Sequence, residues 1–101
     1  MVTNEELAEL LRGFEGGTVF LHVEVTPGAF VRNVKAEILK SHVAGEGMYR
    51  VALQLPEDGW IRAEGLTHAV VDEEGRLIIA SHDELGRLTV ALEISREKLP
   101  A

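Results

Sequence analysis

The stretch "DEEGRLIIASHDELGRLTVALE", residues 72–93, states one phrase twice. Asp72 to Ala80 is echoed by Asp83 to Ala91, eleven residues later. Each copy has an acidic pair, then a glycine, an arginine and an apolar run rich in β-formers. Gly75 and Gly86 supply the left-handed backbone position that hairpin loops of this length require. The echo therefore predicts two successive hairpin turns of a meander, with a period too short for a solenoid. A six-residue strand between them spans ~20 Å, so the two turns fall at opposite ends of the sheet. Asp72, Glu73 and Glu74 then cannot share an ion with Asp83 and Glu84. The alternating ligands of a calcium-binding EF-hand are also missing.

The same two-residue rhythm runs through most of the chain. In "TVFLHVEVT", Val19, Leu21, Val23 and Val25 share one face, and Phe20, His22 and Glu24 the other, which is read as solvent. Pro27-Gly28 makes a turn. Alternation resumes through Val34, Ala36 and Ile38, and changes phase near Leu39 to Val43, which predicts a bulge, bend or break. It returns in "MYRVALQL" and, after a turn at Pro56 to Gly59, in a long strand from Trp60 to Val71. Before the strands, Thr3 and Glu6 form a capping-box pattern, and Leu7, Leu10 and Leu11 lie on one helical stripe. A helix this short needs a larger surface to dock on.

These segments give a mainly β fold: a helix over about 4–13 and strands over about 18–26, 29–39, 48–55, 60–71, 76–82 and 87–95. The expected architecture is a six-stranded antiparallel meander curled into a barrel or half-barrel, with the helix packed on it. Closure would remove exposed edges. The alternative is an open sheet with the helix across one face.

At 101 residues the chain is one domain, and 46% of it is apolar, so it can bury a single core. No apolar run reaches the ~20 residues of a membrane helix. The acidic start does not look like a signal peptide. With no cysteine, thiolate metal sites and Cys nucleophiles are excluded. A cytoplasmic location is expected. A formal charge of −7 with scattered cations argues against nucleic acid as a partner.

Four histidines carry most of the chemical interest: His22, His42, His68 and His82. If Glu74 centres its hairpin, facing residue numbers sum to about 148. His68 then opposes Ala80, with His82 one diagonal step away. Glu64 has the parity of His68, so two imidazoles and a carboxylate would meet on one face, with Arg62 nearby. Arg62, Glu64, His68 and His82 are the candidate ligand-binding residues, at the mouth of the barrel. A one-residue slip would separate them, and hydrogen-bonded or exposed strand histidines are the plainer reading, so no metal and no cofactor is expected. Ser81-His82-Asp83 has the residue types of a serine triad, but its members would have to converge from separate places. Gly16-Gly17 and Gly45-Glu46-Gly47 lack the Gly-Lys-Ser/Thr ending of a phosphate loop. Of the five aromatics, most are expected in the core or in cross-strand packing, and Arg50 and Arg62 as cross-strand partners of glutamates.

The segments "GAFVRNVKAE", "GMYRVALQL", "GWIRAEGLTH" and "ASHDELGRLTVALEIS" resemble the YojF family of small bacterial proteins, over about Thr18 to Ser95. The resemblance implies a compact β-barrel-like fold and transfers no catalytic residues. The "TPGAF" connection is shorter here than in family members. Genomic neighbourhood in the family implies an enzyme partner, a deacetylase acting on N-acetylglucosaminyl compounds in thiol metabolism. The leading expectation is a non-catalytic domain that forms a homodimer or serves an enzyme as an accessory. A small-molecule binding module is the first alternative, and a small metal- or His/Glu-dependent enzyme the second.

Overall fold

The computed structural model describes residues 2–45 and 48–100. Its elements are a helix α1 (Asn4–Arg12) and eight strands: β1 (Thr18–Val25), β2 (Ala29–Glu37), β3 (Lys40–Ala44), β4 (Tyr49–Leu55), β5 (Gly59–Leu66), β6 (His68–Val71), β7 (Leu77–His82) and β8 (Leu88–Ser95). Glu46 and Gly47 of the second glycine turn lie outside the described residues. The strands form two sheets, ordered β2-β1-β8-β7-β6 and β3-β4-β5, and every strand pairing is antiparallel.

The closed barrel and the six-strand meander are therefore corrected to eight strands in two sheets, one of five and one of three. Two of the expected strands each change sheets partway. Glu37 still pairs with Thr18 in the large sheet, yet the Leu39 N–H already donates to the Gln54 carbonyl of the small one, at 2.8 Å. Likewise Leu66 pairs with Tyr49, and the next residue, Thr67, donates to Ala80 across the gap at 2.9 Å. At the second corner Gly65 has φ +69 beside a bulge in the β4–β5 ladder, and there the chain bends out of its sheet. The first corner is where the alternation changes phase, near Leu39. At the second, alternation of apolar residues carries straight through, so periodicity reads Trp60 to Val71 as one strand.

The core lies between the sheets. Val19, Leu21, Leu77, Ile79, Leu92 and Ile94 enter it from the large sheet, and Val51, Leu53 and Leu66 from the small one, all fully buried. Each such side chain contributes about 1.5–3 kcal/mol on leaving water. Thr3 and Glu6 form the reciprocal capping box, at 3.0 and 3.1 Å. This aims Leu7 and Leu11 into the same core, with α1 lying against β3. Tyr49, also buried, donates its hydroxyl to the Val2 carbonyl and ties the N-terminal segment down.

One end of the core face stays uncovered. Val25 on β1, with Val31 and Val34 on β2, shares the face of Val19 and Leu21, yet these three are 42%, 42% and 43% exposed. On the opposite face of β2, paired with Glu24, Phe30 is 67% exposed, and β2 is an edge strand of the large sheet.

Candidate functional site

His68 and His82 come together. His68 pairs with Ala80 in the β6–β7 ladder, and the two imidazole centroids lie 5.6 Å apart, nearly perpendicular at 79°. Thr67 Oγ1 is 2.7 Å from His68 Nδ1, which leaves Nε2 as the outward nitrogen. Among the described residues no group of three His, Asp or Glu side chains is placed to hold a metal ion.

The other two candidates sit on the small sheet. Glu64 is exposed and faces Arg50 at 3.7 Å, the cross-strand ion pair expected of a salt-linked surface. Arg62 is exposed and pairs with Ala52. Recesses of about 780, 480 and 80 Å³ lie elsewhere. The largest is bounded by residues of α1 and the segment before it, so it is a groove along one helix and not a pocket between elements.

The most highly organised polar group is one that the alternation assigned to solvent. His22 is only 6% exposed. Opposite it β2 carries an extra residue, so that Arg32 and Asn33 both face the one histidine, and Asn33 takes φ +59. The Asn33 N–H donates to His22 Nδ1 at 3.0 Å. His22 Nε2 lies 2.8 Å from Ser95 Oγ, and Ser95 donates in turn to the Glu97 carbonyl at 2.7 Å. The Asn33 side chain then grips the backbone of Leu99 twice, at 2.7 and 2.9 Å. The segment after β8 is thereby folded back over His22, with Arg96 stacked on Phe14 at 4.4 Å and donating to the Gly13 carbonyl at 3.0 Å.

This chain of bonds fixes the histidine tautomer. Nδ1 accepts a backbone N–H and so carries no proton; Nε2 carries it and donates to Ser95. A histidine acting as general base on a serine needs the reverse, a bare nitrogen toward the hydroxyl. Burial, then the charges of Arg32 and Arg76, holds the imidazole below its ordinary pKa. The group is a latch, and no sequence pattern marks it, because Ser95 and the Leu99 segment folded over His22 lie more than seventy positions away.

Glu93, paired with His22 across β1–β8, has one carboxylate oxygen buried without a hydrogen-bond partner. Burial pushes its pKa up, opposed by Arg76 and Arg32. The recess between it and His22 holds only about 80 Å³, well short of the ~300 Å³ at which ligand pockets begin.

The acidic echo is built as two copies of one turn. Asp72 Oδ1 accepts the N–H groups of Glu74 and Arg76, and Asp83 Oδ1 those of Leu85 and Arg87, all at 2.9 Å. Gly75 and Gly86 have φ +79 and +77. The carboxylates serve their own loops.

The comparisons agree with this fold. The profile of a family described as a protein of unknown function (DUF1806) matches residues 1–99. The chain is 36% identical over 110 aligned positions to the uncharacterized protein YojF of Bacillus subtilis (strain 168), covering 95% of this chain and 94% of that protein. The crystal structure of Bacillus subtilis YojF superposes with a TM-score of 0.87 at 37% identity, over 97% of this chain and 94% of that one. With its sheets, its two corners and nearly its whole length accounted for, the chain belongs to the DUF1806 family and is similar to YojF throughout.

Proposed function

We propose that this protein is a non-catalytic β domain that self-associates and serves an enzyme as an accessory subunit. The observation that carries this reading is the bare apolar end of the large sheet. Val31 and Val34 on the edge strand β2, with Val25 beside them on β1, share one face and are each more than 40% exposed, and Phe30 of β2 is exposed on the opposite face. Long apolar edges invite pairing unless a second chain covers them. A two-fold contact that laid β2 of one copy against β2 of another would cover these side chains and satisfy the free edge together. The plainest nucleophile–base pair, Ser95 with His22, supports the non-catalytic reading through its tautomer. The enzyme partner implied by the YojF resemblance is the sugar-amide deacetylase of thiol metabolism.

Light scattering on a size-exclusion column tests the association. The wild-type chain elutes as a dimer, and Val34→Glu, at a half-exposed position, elutes as a folded monomer. A wild-type monomer at tens of micromolar ends the self-association reading. Co-expression with the deacetylase tests the accessory role separately, through co-elution of the two chains.

A second reading, a small-molecule module at His68 and His82, draws on the 5.6 Å approach of the two rings. It requires a compound that raises the melting temperature of the wild-type chain and not of His82→Ala.

A further inference from the structure

The outer face of the small sheet has a character unlike the rest of the molecule. Pairing across β3, β4 and β5 sets Lys40, Gln54 and Trp60 in one row, and His42, Ala52 and Arg62 in the next. The rings of Trp60 and His42 meet diagonally, 5.8 Å apart and tilted by 33°, above the small side chain of Ala52. Trp60 remains 54% exposed. A bulky ring held over a small residue, with half its surface in water, contributes little to the core. Stacking on His42 instead holds it in one orientation.

Charge sets this face apart too. The chain carries −7 overall, yet the face carries Lys40, Arg50 and Arg62 against Glu64 alone, three positive charges less one negative, or +2. Glu64 is engaged with Arg50 at 3.7 Å. Among the described residues Lys40 and Arg62 have no carboxylate within salt-bridge distance. A cationic field confined to one patch of an acidic protein orients an anionic partner and disfavours other approaches. An exposed tryptophan beside an arginine is the composition of an interface anchor.

We propose that this face docks an acidic polypeptide segment of a partner protein, lying across Ala52 with an apolar side chain against Trp60 and carboxylates on Lys40 and Arg62. A single-stranded nucleic acid could use stacking and cations as well, but the remaining −9 of the chain repels a phosphate backbone that extends past the patch. The surface lies on the other sheet from the β2 edge, so the proposal stands or falls independently of self-association.

Trp60 is the sole tryptophan, so its emission reports on this face alone. The experiment titrates the full chain with a peptide of alternating glutamate and leucine in low salt. Its arms are the same peptide in 0.5 M sodium chloride, a lysine–leucine peptide and oligothymidylate. The expected result is a saturable change in emission with the acidic peptide, weakened about tenfold by Arg62→Glu or Lys40→Glu, and reduced by salt. Both substitutions are at exposed positions, and circular dichroism verifies that the variants fold. The proposal is overturned by equal response to the lysine peptide, by tighter response to oligothymidylate, or by unchanged affinity in both variants. It is equally overturned by no response at millimolar peptide, or by emission that changes with protein dilution alone, which would make a second copy the occupant.

Discussion

The backbone N–H of Asn33 points into Nδ1 of His22 at 3.0 Å, and that one bond decides the chemistry of the imidazole. With Nδ1 occupied, protonation of His22 must break a partly buried hydrogen bond. The folded pKa lies below the ordinary 6.5, chiefly through burial and then through Arg32 and Arg76. The unfolded chain thus takes up this proton at a higher pH than the folded one. Stability therefore falls as pH drops through 6.5, and stops falling on this account only below the depressed folded value. Replacing the residue in His22→Gln removes the network, lowering stability at pH 8 by about 1–2 kcal/mol, and also removes this part of the acid loss. Denaturant melts of both proteins at pH 8 and 5.5 measure the difference. A long-range nitrogen–proton spectrum that places the proton on Nδ1 would falsify the latch.

Glu93 works in the opposite sense. Its folded pKa is raised above 4.5 by burial, and one oxygen finds no partner. The charged carboxylate penalises the folded state fully above that folded pKa, and the penalty fades as pH falls toward 4.5. Glu93→Gln should raise the melting temperature by a few degrees at pH 8, with the gain vanishing below pH 4.5. A gain that is the same at both pH values would show that shape, not charge, is responsible.

The two copies of the acidic turn predict paired outcomes. Gly75 and Gly86 share a left-handed φ, and a Cβ at either would meet no atom within 4 Å. Alanine at each is penalised by backbone strain alone, about 1 kcal/mol, and by nearly the same amount in the two turns. The Asp83 carboxylate is held below its ordinary 3.8, first by the backbone N–H of Arg87. What it contributes is complete above pH 3.8 and is lost as pH falls through the lower folded value. Asp83→Asn should therefore narrow the stability gap to wild type as the solution is acidified below that point. Thermal melts across pH 2–7 decide it.

The turns were legible because their signal is local: Asp, Gly and Arg at fixed spacing specify a loop whatever surrounds it. The register followed from them, and His68 does oppose Ala80. The capping box at Thr3 and Glu6 and the break near Leu39 are local in the same way. Thr67 was not legible, since a strand that changes sheets keeps its alternation while its partners change. His22 was misread for a related reason. Alternation assigns a face, and that face turned out to be covered by the chain's own C-terminal segment. Trp60 met the cross-strand half of its expectation, packing on His42 at 5.8 Å, but half of its surface stays in water.

The clamp that covers His22 can be opened without touching the histidine. Asn33 holds Leu99 through two side-chain bonds and does so at φ +59, a conformation that alanine resists and glycine accepts. Asn33→Ala and Asn33→Gly both lose the grip on Leu99. The alanine variant adds strain, so it should be the less stable by about 1 kcal/mol. Hydrogen exchange at the Leu99 amide should accelerate equally in both, because the strain at residue 33 plays no part in that bond. Residue 33 still offers its N–H to Nδ1, but water now reaches the ring, and the His22 titration followed by NMR should move up toward 6.5 in both variants. If Leu99 exchanges faster while the His22 titration stays put, the tail is not what keeps the imidazole dry, and the strand ladder around it must do so unaided.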